Sequence, residues 1–476
     1  MSPFTRRTFL SATAAGVLAA CTSSNGLVLP TDPRVGQVEA QRRGTGRTRS
    51  ITLTARAGPV DLGGPVVDTW TYDGTVPGPE LRVTAGDVVE ATLVNDLPAD
   101  TSVHWHGLAL RNDMDGTPHL TQAPITPGTT FTYRFTAPTP GTYWFHPHTG
   151  TQLDRGLYAP LVVEDPGEAA DHDAEWVVVL DDWIDGTGTT PDRVFAELRR
   201  RGGHPVHGAS SPLLGGDAGD VAHPHHLING RVPTAPVTFA AKPGERVRIR
   251  LINAGSDTAY RVALGGHRLT VTHTDGFPVV PVGTDALLIG MGERYDVLVT
   301  LADGVFPLVA LAEGKNATAF ALVRTGGGDA PGPRVRPREL TGTIVGYPDL
   351  HSTDAVALPR KAPDVVHRLA LTGGMMGYDW GINGRAGHLA DPVRVREGQR
   401  VRIEFVNTTM MWHPMHIHGH TPQLGPTGPR KDTAIVLPGR TLGCDFTADN
   451  PGRWMIHCHN AYHAESGMAT ALGYDA

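Results

Sequence analysis

The sequence predicts an all-β protein of three consecutive β-sandwich domains. Glycine and proline make up about a fifth of the 476 residues, which is typical of many short strands joined by turns. An internal repeat also occurs three times without gaps, as a glycine turn and a mostly alternating strand that ends in asparagine; the copies are residues 85–95, 243–253 and 397–407. Successive copies are about 155 residues apart, which is room for one antiparallel sandwich each.

The repeat divides the chain into three predicted domains and two connecting segments. A stretch rich in glycine, proline and arginine at 326–363 is predicted to link the second and third domains. Residues 21–47 are polar and rich in arginine, and are predicted to be a flexible tether. The domains are predicted at residues 48–166, 172–325 and 364–476.

Residues 1–20 are predicted to be an export signal. Arg6 and Arg7 precede an apolar run of about ten residues, which resembles a twin-arginine signal and is too short for a permanent membrane span. The run ends in Leu-Ala-Ala-Cys21, which resembles a bacterial lipobox, so Cys21 is the predicted lipidation site. The protein is then expected in the cell envelope, lipid-anchored to the outer face of the cell membrane. The alternative is an ordinary signal cleaved near Ala20, with Cys21 incidental.

Composition narrows the function classes. The net charge is −7 with no basic run to form a nucleic-acid surface, which argues against a nucleic-acid partner. The hydrophobic fraction of 40% is too high for a disordered chain. Histidine is unusually frequent, at 23 residues against three cysteines, and this indicates a metalloprotein.

The histidines fall in register with the repeat. In the first and third domains, one His-x-His pair begins nine residues after the repeat asparagine, and a second begins six residues after the proline of a Pro-Gly turn. Residues i and i+2 of a strand point to one face, so each pair offers two imidazoles to one side. Eight converging imidazoles suit a cluster of three copper ions. The pairs are His104/His106 and His146/His148 in the first domain, and His416/His418 and His457/His459 in the third.

The third domain carries a further ligand set. Two imidazoles, one thiolate and a weak thioether are the donors of a blue-copper electron-transfer site, and His413, Cys458, His463 and Met468 provide them. The second domain has neither pattern, and its His267 is predicted to be structural. The first domain has lost the extra set at the matched positions, which hold Pro147, Gln152 and Leu157.

Taken together, these motifs resemble those of the three-domain multicopper oxidases, a family of laccases, cuprous oxidases and ferroxidases. The resemblance implies three cupredoxin-like Greek-key domains and four copper ions, and a cluster between domains 1 and 3 that reduces O2 to water. It also implies a path for electrons through Cys458 to both neighbouring histidines. The implied ligands are His413, Cys458, His463 and Met468 for type 1 copper, His104 and His416 for type 2, and His106, His146, His459, His148, His418 and His457 for the type 3 pair.

The reduction of O2 also consumes protons. Asp115 lies eleven residues after His104, where the family keeps an acidic group, so it is a predicted catalytic residue alongside Cys458. A solvated turn aspartate is the alternative. The other family acid follows the type 1 histidine directly, but Ala464 occupies that position and Glu465 lies one place beyond it, so the second proton route stays open.

The reductant is the least determined part of the reaction. Asp432 resembles an acidic residue that family members place beside the type 1 site for a metal ion or a phenol proton, so it is a predicted docking residue for the substrate. Met375 and Met376 are predicted to join it because their soft thioethers suit Cu(I), although core methionines are the simpler interpretation. The predicted lipid anchor and the stretch 376–380 resemble the copper-resistance lipoprotein oxidases of actinobacteria. We therefore expect a monomeric enzyme that oxidises Cu(I) and Fe(II). A phenol-oxidising laccase and a copper-sequestering lipoprotein without turnover are the alternatives, and Cys444 has no predicted role.

Overall fold

The computed structural model describes residues 26–168, 171–203 and 208–476. Within these ranges the chain forms three consecutive two-sheet sandwiches, which confirms the predicted all-β fold. The predicted export signal and Cys21 lie outside the described residues. No helix in the described ranges is long and apolar enough to cross a membrane.

The first domain follows a short helix, α1 (Pro33–Gln41), and pairs its strands in the sheets β2-β1-β4-β6 and β3-β8-β7-β5. Its core contains Trp105, Phe135 and Phe145, all nearly inaccessible to solvent. The strands are β1 (Thr48–Asp61), β2 (Val66–Tyr72), β3 (Leu81–Thr84), β4 (Val88–Asp96), β5 (His104–His106), β6 (Thr130–Thr136), β7 (Gly141–His146) and β8 (Ala159–Glu164).

The second domain has two six-stranded sheets, ordered β12-β9-β14-β19-β16-β17 and β13-β21-β20-β15-β18-β22. Its helix α2 (Pro191–Arg201) has proline in the first turn and is capped by Thr190. The strands are β9 (Ala174–Trp183), β10 (Ser210–Ser211), β11 (Gly216–Asp217), β12 (His225–Ile228), β13 (Thr238–Ala240), β14 (Arg246–Asn253), β15 (Tyr260–Leu264), β16 (Leu269–Thr274), β17 (Phe277–Thr284), β18 (Ala286–Ile289), β19 (Arg294–Thr300), β20 (Val305–Ala312), β21 (Ala317–Arg324) and β22 (Ile344–Val345).

The third domain pairs its strands as β24-β23-β26-β30-β28 and β25-β32-β31-β27-β29. A third helix, α3 (Ala461–Ser466), joins its last two strands. The strands are β23 (Val365–Thr372), β24 (Gly381–Ile382), β25 (His388–Val395), β26 (Arg400–Asn407), β27 (His413–Ile417), β28 (Gln423–Leu424), β29 (Thr433–Val436), β30 (Thr441–Thr447), β31 (Arg453–Cys458) and β32 (Ala469–Tyr474). Short 3-10 turns lie at Asn112–Met114, Gln152–Asp154, Pro212–Leu214, Arg338–Thr341 and Tyr347–Asp349.

The asparagine that ends each repeat organises the loop that follows. In all three domains its side-chain NH2 donates to two backbone carbonyls, and its side-chain oxygen accepts the backbone N–H two residues later. A buried amide whose donors and acceptor are all paired fixes the loop direction. In domains 1 and 3 that loop leads into the first histidine strand. The residues are Asn95, Asn253 and Asn407.

Two connecting segments differ from the sequence-based expectation. Within 21–47, the described residues 26–47 are not a flexible tether, because Val28 is fully buried in a core cluster with domain 3 and Glu39 accepts the backbone N–H of Thr136 in domain 1. The 326–363 segment is not merely a linker, because β22 adds to a sheet of domain 2 and Leu350 is fully buried in that domain's core. In both segments the burial of a few apolar side chains stabilises a defined conformation, although most of the neighbouring residues are polar.

Candidate copper centres

The four His-x-His pairs meet between domains 1 and 3. Strand β5 pairs with β7, so His104 lies opposite His146, and β27 pairs with β31, so His416 lies opposite His457. The two domains then stack their rings face to face, with centroids 3.8 Å apart for His104 and His418 and 3.9 Å apart for His106 and His416. All eight imidazoles belong to this one cluster, as their spacing predicts.

Hydrogen bonds leave one side of these rings free. Nδ1 of His104 donates to the Asp115 carbonyl at 2.9 Å, and Nδ1 of His416 donates to the Asp432 carbonyl at 3.0 Å. The opposite nitrogen, Nε2, is buried without a partner in both rings. A buried, unpaired nitrogen costs free energy unless a metal takes its lone pair. The predicted type 2 pair therefore has its donors fixed for a metal.

The predicted type 3 ligands show the same feature. Nε2 of His148 and Nε2 of His418 lie 3.3 Å and 3.1 Å from Nε2 of His457, so three donor atoms face one point. For the second trio, Nε2 of His146, Nδ1 of His106 and both ring nitrogens of His459 are buried without a partner. These residues fit a copper pair better than a protein-only core, because burial next to other imidazoles lowers the pKa of His146, His148 and His459 well below the usual range.

The predicted type 1 ligands form a separate group of donor atoms in domain 3, which we call the type 1 donor group. Nδ1 of His413 and Nδ1 of His463 are 3.1 Å apart, and each lies 3.7 Å from Sγ of Cys458. Their Nε2 atoms face Thr409 Oγ1 at 2.9 Å and Asp220 Oδ2 at 2.9 Å, so their Nδ1 atoms are turned toward Cys458 Sγ. Met468 is fully buried in the same core cluster. Two nitrogens and one sulfur around a common point suit copper.

Asp115 is buried beside the cluster rather than solvated. Its carboxylate accepts from His418 Nδ1 at 3.0 Å and from Thr117 Oγ1 at 2.7 Å, and its side chain is 1% exposed. Thr117 lines a cavity of about 310 Å³ that also reaches His148 and His457. A carboxylate that links a cluster ligand to a cavity is well placed to pass a proton.

Glu465 lines the same cavity. It lies one place beyond Ala464, which occupies the position of the second family acid. Residues Ala461–Ser466 are helical, and both Ala464 and Glu465 line this cavity.

The predicted docking role of Asp432 is wrong. Its side chain is 0% exposed and paired with Arg294 through hydrogen bonds of 2.6 and 2.7 Å, and its Oδ1 accepts from His106 Nε2 at 3.1 Å. Burial alone would raise the pKa of Asp432, but the Arg294 guanidinium holds it well below the usual range. Asp432 therefore orients cluster ligands and cannot meet a reductant at the surface.

The two predicted docking methionines lie elsewhere, on the loop after β23. Met376 is 93% exposed, whereas Met375 is partly buried and packs against the core, with its sulfur beside Gly203. Cys444 is a buried free thiol whose pKa burial raises, so it is chemically inert. His267 is structural, because its two nitrogens bond the Gly265 carbonyl and the Ala302 N–H.

Sequence reasoning missed the groups that domain 2 contributes. Asp220 contacts the predicted type 1 ligand His463, and Arg294 pairs with Asp432, although domain 2 itself has no copper motif. Burial would lower the pKa of His463, but the hydrogen bond to Asp220 and the neighbouring Cys458 raise it to about 10. Neither Asp220 nor Arg294 belongs to a repeat or motif, so no local signal could have identified them.

Comparison with known proteins agrees with this geometry. Three sequence models described as multicopper oxidase match residues 55–168, 175–328 and 360–475. The chain is 52% identical to multicopper oxidase MmcO of Mycobacterium tuberculosis over 99% of this chain and 97% of that protein. It is 30% identical to a copper resistance protein A homolog of Pseudomonas syringae pv. tomato, over 87% of this chain and 90% of the relative.

Among solved structures, a laccase from Botrytis aclada superposes with a TM-score of 0.77 at 28% identity, covering 91% of this chain and 90% of the laccase. The matched family regions fall on the three sandwiches in order, and two of them contain all the ligand candidates. The chain is therefore an oxidoreductase that belongs to the multicopper oxidase family.

Proposed function

We propose that the enzyme couples four one-electron oxidations of a reductant to the four-electron reduction of O2 to two waters. The observation that carries this proposal is the link between the two donor sets. Cys458 belongs to the type 1 donor group, and its chain neighbours His457 and His459 belong to the histidine cluster. Storage of copper alone would not require two different donor sets joined by three consecutive residues.

Four copper ions, when bound, supply the one-electron chemistry of the type 1 site and the O2 reduction of the cluster. The protein's contribution is to hold the donors. Backbone carbonyls fix the orientation of His104 and His416, and the Arg294–Asp432 pair fixes that of His106. Asp115 holds a proton position between His418 and the cavity.

We propose Cu(I), and also Fe(II), as the physiological reductants. Asp220 places a carboxylate oxygen against His463, and a negative group near the electron entry point attracts a cation. Met376 and Met410 are the large apolar side chains with the highest exposure among the described residues, at 93% and 86%, and thioethers suit Cu(I). The name of the copper resistance relative supports the same choice.

Oxygen uptake tests the proposal. The copper-loaded protein is mixed with Cu(I), Fe(II) or a phenol in separate runs, and O2 consumption is compared with peroxide release. We expect four electrons per O2 with no peroxide, and a higher kcat/KM for Cu(I) than for the phenol. A higher kcat/KM for the phenol would favour the laccase alternative, and binding of copper without O2 uptake would favour sequestration.

Cys458→Ser is the matched negative control for that assay. The thiolate is both the chromophore and the link to the cluster, so its loss removes the intense blue absorption and the oxidase activity together. The serine hydroxyl is smaller and keeps the buried position polar, so the fold should persist. A blue and active Cys458→Ser variant would refute the type 1 assignment.

We further propose that the protein is exported by the twin-arginine route and anchored through a lipid on Cys21. The support is the sequence of residues 5–21. Cys21→Ala in the full chain should release an active enzyme from the membrane fraction. An unchanged membrane fraction would contradict the lipid anchor.

A further inference from the structure

One loop of domain 3 covers the type 1 donor group. We call residues 373–380 the capping loop; they connect β23 to β24. The rings of His413 and His463 are 0% exposed. Trp380, at the end of the loop, packs on both, with ring centroids 5.1 Å from His413 and 4.5 Å from His463. Within the described residues, no edge of either imidazole reaches solvent.

Tyr378 closes the remaining side. Its hydroxyl donates to Asp220 Oδ2 at 2.9 Å, the same oxygen that lies 2.9 Å from His463 Nε2. The ring is 0% exposed and its centroid lies 6.1 Å from that of His463. Asp220 is only 7% exposed, so the carboxylate proposed to attract a cation is itself under this cover.

The conformation of Tyr378 is strained. Its φ of 43° lies in the left-handed region, which is uncommon and unfavourable for an aromatic residue. Neighbouring contacts hold it there. Ser466 Oγ donates to the Tyr378 carbonyl at 2.7 Å, and the Gly203 N–H donates to the Met375 carbonyl at 2.6 Å. Such strain persists where the surrounding structure fixes it, and it marks a residue whose placement matters.

Gly203 shows how tightly the cap fits. A Cβ at this position would lie 2.9 Å from Cδ2 and Cε2 of the Tyr378 ring, which is closer than real Cβ contacts. Domain 2 and the capping loop therefore close on each other with no room for a further methyl group. A bulky aromatic substrate has no space between them.

We propose that Tyr378 is a specificity-determining residue that excludes phenols from the edge of His463 and restricts the enzyme to small metal ions. The inference rests on the proposed function. A phenol needs its ring close to the imidazole edge, and the cap occupies that space. A Cu(I) ion can instead dock outside the cap, near exposed donors such as Met376, give up one electron and leave as Cu(II).

The kinetic test compares Tyr378→Ala, Tyr378→Phe and the control Tyr347→Ala, all copper-loaded. Removing the ring should raise kcat/KM for a phenol at least about tenfold, while that for Cu(I) stays within about threefold of wild type. The phenylalanine variant keeps the cover and should match wild type on the phenol. Tyr347 is half-buried and its hydroxyl bonds the Ile435 carbonyl, so Tyr347→Ala reports the general effect of losing a tyrosine ring.

A second measurement does not depend on turnover. In the metal-free protein, the rate at which hydroxyl radicals oxidise His463 is followed by tandem mass spectrometry of its peptide. We expect His463 to be protected in wild type and in Tyr378→Phe, and to be modified at least about tenfold faster in Tyr378→Ala, because this modification requires an accessible ring and does not require a neutral imidazole. Should Tyr378→Ala not fold, Gly203→Ala opens the cap from the other side by displacing the ring.

Two results would overturn the inference. One is a folded, blue Tyr378→Ala or Gly203→Ala protein whose phenol kcat/KM equals that of wild type. The other is rapid modification of His463 in the wild-type protein. Failure of the proposed function looks different, because the wild-type enzyme would then consume no O2 with any reductant while the modification rates still report on the cap.

Discussion

The ion pair between Arg294 and Asp432 gives the sharpest test of how domain 2 supports the copper centres. Arg294 comes from β19 of domain 2, and Asp432 precedes β29 of domain 3. Both side chains are 0% exposed and joined by two hydrogen bonds of 2.6 and 2.7 Å. Arg294→Met keeps the apolar stem and removes the charge, which leaves the Asp432 carboxylate buried without its cationic partner.

The size of the effect follows from that burial. Removing one partner of a fully buried pair costs about 3–5 kcal/mol, because the remaining charge keeps its desolvation penalty. Asp432 also bonds His106 Nε2, so a neutralised or displaced carboxylate changes the orientation of a cluster ligand. We therefore expect a loss of about 3–5 kcal/mol in the free energy of unfolding, together with incomplete copper at the histidine cluster.

The loss should depend on pH in a defined direction. Arg294 holds the pKa of Asp432 below its ordinary value, so the pair stabilises the fold above the unfolded-state pKa of about 4. This stabilisation is lost as the pH falls toward the lowered pKa of the folded state. The difference in stability between wild type and Arg294→Met should therefore be largest from neutral pH down to about pH 4 and should shrink as the pH falls below about 4.

Urea unfolding followed by tryptophan fluorescence measures the stability, and elemental analysis measures the copper content. Asp432→Asn in the Arg294→Met background removes the unpaired charge and should recover part of the loss, which a double-mutant cycle quantifies. Arg248→Met is the matched control, because Arg248 pairs with Asp296 inside domain 2, also buried, at 2.6 Å. It should cost stability and leave the copper content intact. A fully stable, fully loaded Arg294→Met protein would refute the reasoning.

Three further predictions concern single residues. Asp115→Asn should slow O2-limited turnover by about 10²-fold and leave anaerobic bleaching of the blue colour by a reductant unchanged, and an equal decline in both rates would contradict the proton role. Asn407→Ala should cost about 1–3 kcal/mol and weaken copper binding at His413, whereas Asn253→Ala should cost as much stability without affecting the blue absorption. Met468→Leu should remain blue with a raised reduction potential, and a colourless protein would show that the thioether is essential for binding.

The sequence by itself determined the β-sandwich repeat and the ligand candidates, because both leave periodic signals along the chain. A strand ending in asparagine recurs in each domain, and His-x-His places two rings on one face whatever the neighbouring domain does. Asn95 and Asn407 fix equivalent loops, so the histidine strands begin at equivalent points. The structure accordingly brings all eight cluster histidines together.

Predictions from local sequence were wrong for segments whose conformation depends on contacts with residues far away along the chain. The composition of residues 26–47 predicts a polar tether, but Val28 and Val35 are buried against other parts of the chain. The family resemblance predicts Asp432 beside the type 1 site, where it would serve a metal ion or accept a phenol proton. Its true environment includes Arg294, which is 138 residues away along the chain.

Only the tertiary structure decided what surrounds each predicted metal ligand. The partner of His463 is Asp220, 243 residues earlier, and the cover over both is a strained tyrosine on a loop of another sheet. Such contacts arise where whole domains pack together, and domain packing imposes no spacing on the residues it joins. The candidate ligands can therefore be identified in the sequence, whereas the groups that orient, charge and cover them can be identified only in the folded chain.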